Sequence, residues 1–545
     1  AWARRRGEGE ASARLSPSDA AERLEALANE VDACLRESER LVAEKLNEEA
    51  RLTRMDFRAL VLLARYHATK LRMAAALALF YETDDATRLF TAERLSRLAL
   101  HTWRDLGEAT TGYFARLHFG PTGGRWDDNL PRVEYDLGRI AQVKTFLEEY
   151  GLFSRGIDFG PSPETPFLPN SVLDSEPRFT RVNDTVEYWP EIGYGWLDRD
   201  GLTSEPPARP GVELAHGVFG IKPGRTWDPD MLDDLPLEVL TKGGVSGTRP
   251  ARFRIDADPG RYEITLLAPQ SVLESVRLEA QRGSMRMLKT ENRSYPEGVT
   301  WRVLLEGHDF VLHFGPSGGR WSVHALMLRP VEPIVRHLPP MALAADDDLE
   351  LPASADAPSG IASLTLYYRS GGAFWRKAKM EGGFFEYRTV IPVPHLDGEA
   401  LEYFFEASAE DGAETSGENS PCSVPLVRGF RQPVILDATG PETWNGRAPL
   451  VFSATIRHGQ FAKDLVLHYR EANQQLSWRT TSQAVSAGGE HRFEIDPGPL
   501  DTAYPLLYYF ELTDGFGGGV FWPDPWTDAR YRIVEAVVHE RLDSP

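Results

Sequence analysis

The sequence predicts a multidomain protein in which an α region precedes an all-β region: an N-terminal antiparallel helical bundle, then a β-sandwich or jelly roll, then two small β-sandwiches in tandem. Three observations carry the prediction. Up to about residue 155 apolar side chains recur at spacings of three and four; beyond Ile157 the chain turns to Pro, Gly and short alternating runs; and a pattern that begins at Leu364 returns at Leu465. A chain of 545 residues has room for several separate cores.

The first helix is expected from Ser16 to near Leu46: Ser16 caps, Pro17 suits the first turn, Asp19 reaches back, and Leu24, Leu27, Val31 and Leu35 form one apolar face. A second is expected from about Thr53 to Phe80, and a third from about Thr91 through Leu95, Leu98 and Trp103 to Phe114. A fourth follows Leu130 and ends at Tyr150, with Gly151 as its C-cap. Short links between long amphipathic helices imply antiparallel neighbours.

In the β region, Ala251-Arg252-Phe253-Arg254-Ile255-Asp256 and Arg261-Tyr262-Glu263-Ile264-Thr265-Leu266, joined through Asp258-Pro259-Gly260, read as a hairpin. The run closes with Phe310-Val311-Leu312-His313-Phe314 and Trp321 to Leu328, placing an all-β domain at 156–332 after a helical domain at 1–155. The remainder repeats itself. Leu364-Thr365-Leu366-Tyr367-Tyr368-Arg369 with Trp375 is echoed by Leu465-Val466-Leu467-His468-Tyr469-Arg470 with Trp478, and Tyr403-Phe404-Phe405-Glu406 by Tyr508-Tyr509-Phe510-Glu511. A period near 100 residues suits a small β-sandwich, which divides the tail into 333–430 and 431–545.

One short string raises a chemical question. LHFGPTGGRW at Leu117 to Trp126 returns as LHFGPSGGRW at Leu312 to Trp321, and its second copy matches the G-x-S-x-G of a serine-hydrolase elbow. An elbow needs a helix after the turn, whereas Trp321 onward alternates as a strand, so the string reads as a hairpin turn. No HExxH, P-loop or paired CxxC occurs. Asp309 and His313 share one face of a strand, but two potential ligands do not make a metal site. Asp346-Asp347-Asp348 reads as a solvated linker; no cofactor is expected beyond a possible structural calcium. Among 81 acidic residues no spacing singles out an acid pair for glycoside hydrolysis.

The net charge of −21, without a dense basic stripe beyond Arg4-Arg5-Arg6, excludes nucleic acid as the expected partner. The longest charge-free apolar stretch of the greasiest helix, Met73 to Tyr81, falls short of the ~20 residues that span a bilayer, so no membrane span is expected. Cys34 and Cys422 fall in separate domains, so no disulfide is expected between them. The opening AWARRRGEGE, without methionine, reads as a mature or truncated product.

Aromatic residues supply the positive signal. Tyr188, Trp189, Tyr194, Trp196 and Trp227 stand in polar, Gly-rich and Pro-rich surroundings, and Phe521-Trp522-Pro523-Asp524-Pro525-Trp526 sits late in the last domain. Flat aromatic faces flanked by charged and amide groups are what sugar rings need. The candidate carbohydrate-binding residues are therefore Tyr188, Tyr194, Trp196 and Trp227, with Arg181 and Asp198 at the rim.

The stretches Ile157-Asp158-Phe159-Gly160, Phe179-Thr180-Arg181-Val182, Gly193-Tyr194-Gly195-Trp196, Phe253-Arg254-Ile255-Asp256, Pro259-Gly260-Arg261-Tyr262 and Trp321 to Leu326 resemble the galactose-binding-like jelly-roll domain. Such domains accompany polysaccharide-active bacterial enzymes, including rhamnogalacturonan acetylesterases, although no GDS-type serine block follows here. The tandem sandwiches resemble fibronectin type III or immunoglobulin-like spacers. The helical part is similar to the region that follows the catalytic barrel in some glycoside hydrolases, such as α-glucuronidases. The resemblance implies a non-catalytic, C-terminal, carbohydrate-binding part of a secreted, periplasmic or cell-surface polysaccharide-degrading protein, with a polysaccharide or oligosaccharide as partner and the catalytic domain upstream of this chain. Two other readings stand beside it: a glycan lyase or hydrolase with its cleft between bundle and jelly roll, and a cell-surface adhesion or scaffold protein.

Overall fold

The computed structural model describes residues 2–8, 16–41, 48–111, 126, 129–152, 155–159, 179–205, 244–294, 297–315, 320–372, 374–383, 385–485, 487–524 and 530–537. A helical region comes first and β-sheets follow it.

The helices of this first region are α1 (Trp2–Gly7), α2 (Pro17–Leu41), α3 (Glu48–Thr83), α4 (Ala86–Thr110) and α5 (Leu130–Tyr150). At the start of α2 the backbone N–H of Asp19 donates to Ser16 Oγ at 3.1 Å and that of Ser16 donates to Asp19 Oδ2 at 3.0 Å, a reciprocal cap that satisfies two free donors. Both α3 and α4 begin five residues before the starts expected at Thr53 and Thr91; in α4 the earlier turn already buries Ala86 and Leu89. In α4 that turn is set by Asp85, which accepts from the Thr87 backbone at 3.1 Å and its hydroxyl at 2.7 Å. Central α3 packs on both α2 and α4, and α4 on α5. The short α1 was not foreseen; Ala3 packs with Leu79 and Leu338. No helix among the described residues is long and apolar enough to cross a membrane.

The middle domain contains β1 (Arg155–Phe159), β2 (Phe179–Val182), β3 (Tyr194–Trp196), β4 (Leu202–Glu205), β5 (Gly244–Gly247), β6 (Ala251–Asp256), β7 (Gly260–Leu267), β8 (Arg277–Glu279), β9 (Met285–Ser294), β10 (Glu297–Leu305), β11 (Asp309–Phe314), β12 (Trp321–Val323) and β13 (Ala325–Pro330). They form a six-stranded sheet β2-β1-β13-β7-β10-β9, a four-stranded sheet β3-β6-β11-β8 and a small sheet β12-β5-β4. The expected β6–β7 hairpin is not formed. The chain crosses from one sheet to the other at Asp258, and the two strands meet through Phe253, Ile255, Ile264 and Leu266 inside one shared core. Alternation fixed which side chains face inward, and a sandwich satisfies that as well as a hairpin does.

The two outer faces of this domain differ. On the six-stranded sheet, Leu267, Ala325 and Met327 are apolar because Phe146 and Tyr150 of α5 cover them. This explains why Ile264-Thr265-Leu266-Leu267 and Ala325-Leu326-Met327-Leu328 read as nearly continuous apolar runs, the pattern of strands buried on both faces. The outer face of the four-stranded sheet is polar.

The LHFGPSGGRW string joins β11 to β12, which lie in different sheets, so it is neither an elbow nor a hairpin. Ser317 and most of the first copy lie outside the described residues. What the copies share is a packed tryptophan. Trp321 stacks on Phe314 at 5.0 Å and donates from its indole to Arg249 O at 2.7 Å; Trp126 packs edge-on to Trp103 at 5.5 Å. Gly315 has φ +56°, and a Cβ there would sit 2.5 Å from the Trp321 ring, so only glycine permits this turn.

The two terminal sandwiches share one topology. In the first, Leu349–Asp356 lies between Ile334–Arg336 and Glu386–Ile391, facing a sheet built on Ile361–Ser370 and Ala400–Ala409. In the second, Leu450–Arg457 lies between Val434–Thr439 and Gly489–Ile495, facing Ala462–Glu471 and Leu506–Asp514. In each a two-residue strand crosses to the opposite sheet and pairs in parallel with the last strand, Leu343–Ala344 with Cys422–Val427 and Thr443–Trp444 with Arg532–Ala536. Two packed antiparallel sheets with this parallel edge are immunoglobulin/fibronectin III-like β-sandwiches. Asp346 and Asp348 of the expected solvated linker accept backbone N–H groups from Gly429 and Val393, both at 2.8 Å.

Three domains meet at Asp356. Its carboxylate accepts the Leu152 N–H at 2.8 Å from the end of the bundle and pairs with Arg329 from the end of β13. Gly151 fits this contact, since a Cβ on it would lie 2.2 Å from Asp356 Oδ2. Nearby Ser354 Oγ accepts the Ala86 N–H at 3.1 Å, so the first sandwich caps α4 as well.

Candidate functional site

The polar outer face of the four-stranded sheet follows from strand alternation. Phe253 and Ile255 of β6 and Phe310, Leu312 and Phe314 of β11 point into the core, which turns Arg252, Arg254 and Asp256 of β6 outward, opposite His313, Val311 and Asp309 of β11. Asp256 and Asp309 face each other directly, a repulsive pairing. Arg254 resolves it, reaching both carboxylates at 2.9 Å. Asp309 is fully buried and also accepts the backbone N–H groups of Gln281 and Arg282 at 2.9 and 3.0 Å. The Arg254 guanidinium lies 4.4 Å from the centre of the Tyr188 ring, and the Tyr188 hydroxyl donates to Asp256 at 2.8 Å. Burial and then the Asp256 carboxylate push that hydroxyl above the usual tyrosine pKa.

At the other end of the strip Arg252 forks the Asp198 carboxylate at 2.7 and 3.0 Å, holding Asp198 below the usual carboxylate range. His313 lies 3.6 Å from Glu279 beside this pair. Between the ends, the segment carrying Tyr188 lies over β3, where its N–H donates to Trp196 O at 3.0 Å. Gly195 makes this possible: its φ is +146°, and a Cβ would approach Tyr188 N to 2.4 Å. The crossing turn carries Trp189 and Ile192 into solvent, 57% and 45% exposed.

Of the six residues predicted for the site, Tyr188 and Asp198 stand at opposite ends of this face. Tyr194 faces the other way: in register with Ile255, it packs against the core, with Arg155 5.7 Å from its ring. Trp196 is corrected outright. It is fully buried among Phe159, Phe253, Phe314 and Trp321, with its indole N–H donated to Asn183 O at 3.1 Å, so no ring face is open to a sugar. Strand period explains the error, since Tyr194 and Trp196 are two apart and share the inward face. Arg181 stands in β2 in register with Asp158, with its side chain outside the described residues, and Trp227 lies outside them altogether. The residues missed are Arg252, Arg254 and Asp256, legible in principle from the alternation Ala251 to Asp256. Asp309 and His313 share the strip but bind arginine, backbone and glutamate, and no cluster of three metal-ligating side chains occurs among the described residues.

A second concavity, of about 500 Å³, opens where β13 leads into the first sandwich, with His337, Tyr403, Phe405 and Cys422 in its wall. His337 Nδ1 lies 2.6 Å from Pro352 O, which can only accept, so Nδ1 carries the proton and Nε2 accepts the Tyr403 hydroxyl at 2.8 Å. Tyr403 in turn contacts the Cys422 thiol, and burial pushes both groups up. Burial depresses His337, so the folded protein favours the neutral ring. A depressed histidine contributes stability that is fully present above the usual value of 6.5 and is lost as the pH falls below it. Melting curves of wild type and His337→Gln should therefore diverge in slope on acidification from 6.5, with the variant the flatter; parallel curves would contradict this environment.

No protein-family model matches the chain, and no curated protein matches it. Among solved structures it is similar to a DUF4785 family protein from Legionella pneumophila, at 12% identity and a TM-score of 0.23 over 50% of this chain and 84% of that one. It is also similar to the FN1-FN3 domains of chicken CNTN1, at 8% identity and a TM-score of 0.22 over 52% and 94% of the two chains. A tetra-tandem repeat from the extending region of a large adhesion protein matches at 13% identity and a TM-score of 0.18 over 54% and 70%. The assignment of the terminal sandwiches accordingly rests on their own strand topology.

Proposed function

We propose that this chain is a non-catalytic glycan-binding region, with a galactose-binding-like jelly roll as its binding domain, acting as the accessory part of a polysaccharide-degrading protein. The observation that carries the reading is the asymmetry of the middle domain: one outer face is covered by α5, while the other presents exposed Trp189 beside a strip of ordered polar groups that runs from Asp256 to the Arg252–Asp198 fork. An indole face gives a sugar ring a surface to stack on, and side chains already held by their neighbours lose little entropy on binding. Weak binding of this kind acts by raising local substrate concentration for a linked catalytic domain. The cleft beside His337, between the middle domain and the first sandwich, has no carboxylate in its wall among the described residues and so offers no acid pair for glycoside hydrolysis.

The adhesion or scaffold reading keeps one observation of its own. Phe374, 95% exposed, stands beside Trp375, which is covered by Arg369 at 4.4 Å; the second sandwich repeats the Arg–Trp pair as Arg470 over Trp478 at 4.7 Å, without the phenylalanine.

A polysaccharide panel run in parallel by affinity electrophoresis and by assays for reducing sugar and unsaturated product tests the proposal. Retardation on at least one glycan with no product is the expected result. Product release would overturn the non-catalytic reading.

A further inference from the structure

The helical domain contains a groove that the glycan reading does not use. At the end of the bundle where α2 finishes and α3 begins, a concavity of about 360 Å³ is lined, among the described residues, by Arg36, Arg51, Arg54 and Arg58 and by two carboxylates, Asp32 and Glu39. Arg36, Arg58 and Arg65 all converge on buried Asp32, at 2.6, 3.0 and 2.9 Å. Burial works against this carboxylate, but the hydrogen bonds from Arg65 and Arg36 outweigh it and keep Asp32 below the usual range. Arg54 pairs with Glu39 at 2.5 Å, while Arg51 is exposed and has no ion pair or hydrogen bond among the described residues. One carboxylate cannot saturate three guanidinium groups, each of which carries five donors. Arg36 keeps 70% of its side chain in solvent.

The arrangement also places like charges side by side. Arg51, Arg54 and Arg58 are spaced by three and four residues and so share one face of α3, where like charges repel. The groove concentrates positive charge in a chain whose net charge is −21. The pairs with Asp32 and Glu39 tie α3 to α2, but they leave Arg51 unpaired among the described residues and most of Arg36 in solvent, a surplus of cationic donors that the fold does not use.

We propose that this groove is an oxyanion site, taking a small ligand through a phosphate or carboxylate group gripped by the Arg36, Arg51 and Arg58 guanidinium forks. Its volume of about 360 Å³ suits one sugar-sized or phosphate-ester-sized group. The site stands independently of the glycan-binding face.

The test is titration calorimetry of the full chain in low-salt buffer with two probes, inorganic phosphate and galacturonate. They are run on wild type and on Arg36→Gln, Arg51→Gln, two positions whose loss leaves the Asp32 pairs with Arg58 and Arg65 intact. Binding of either probe with a Kd near about 1 mM, weakened about tenfold or more in the double variant and by added salt, is the expected result. Phosphate alone would assign phosphate esters, and galacturonate alone would assign acidic sugars. Absence of binding by both probes at about 10 mM, or equal binding by the double variant, would overturn the proposal.

Discussion

Trp196→Ala should cost about 3–5 kcal/mol and lower the melting transition of the middle domain by about 10 °C or more. The indole fills the centre of the sandwich: it touches four aromatic rings, two from the four-stranded sheet (Phe253, Phe314), one from the six-stranded sheet (Phe159) and one from the small sheet (Trp321). Truncation would open a large cavity and leave Asn183 O without its donor. Trp196→Phe should recover part of the loss, because a ring of similar shape refills most of the space. Calorimetry on the three proteins separates this role from a sugar-stacking one: a ligand-facing tryptophan would leave the transition within about 1 kcal/mol of wild type.

Asp356→Ala should be comparably damaging, at about 3–5 kcal/mol, because it breaks a buried pair by removing one partner. Arg329, only 13% exposed at its side chain, would remain charged without a counter-ion, and the Leu152 N–H at the end of the bundle would lose its acceptor. The effect should also be non-local. Limited proteolysis should cut near residue 152 sooner in the variant, since helix end, β13 and the first sandwich are tied through this one carboxylate. Adding Arg329→Met to Asp356→Ala should return much of the lost stability, because replacing both members of a buried pair by apolar groups is far less costly than removing one. Wild-type melting in the single variant would show that the junction is held by the apolar contacts of Ile334 and Phe385 instead.

These two sites mark the boundary of what sequence alone could convey. The helices were legible because capping chemistry is local: Ser16 with Asp19 and Gly151 after Tyr150 announce their ends within a few residues. The tandem sandwiches were legible because the chain repeats itself. The middle domain was legible in its strands and not in their pairing, since alternation specifies a face and leaves the partner free; hence β6 and β7, adjacent in sequence, lie in opposite sheets. The site failed for a related reason. A tryptophan in a Gly-rich, polar stretch looks exposed, but Gly195 beside Trp196 is there to let Tyr188 cross above the strand, and the local polarity belongs to that crossing. Arg254 and Asp309 pair across β6 and β11, 55 residues apart in sequence, and no local pattern couples them.

The central claim is that the outer face of β3-β6-β11-β8 holds a glycan. The most direct measurement is affinity electrophoresis on the most strongly retarding polysaccharide, comparing wild type with Trp189→Ala and Arg252→Ala, with circular dichroism as the check on folding. Both substitutions lie on the surface and should leave the fold intact. Loss of retardation in both folded variants is the predicted result. Retardation equal to wild type in both, or no retardation of wild type on any polysaccharide, would contradict it.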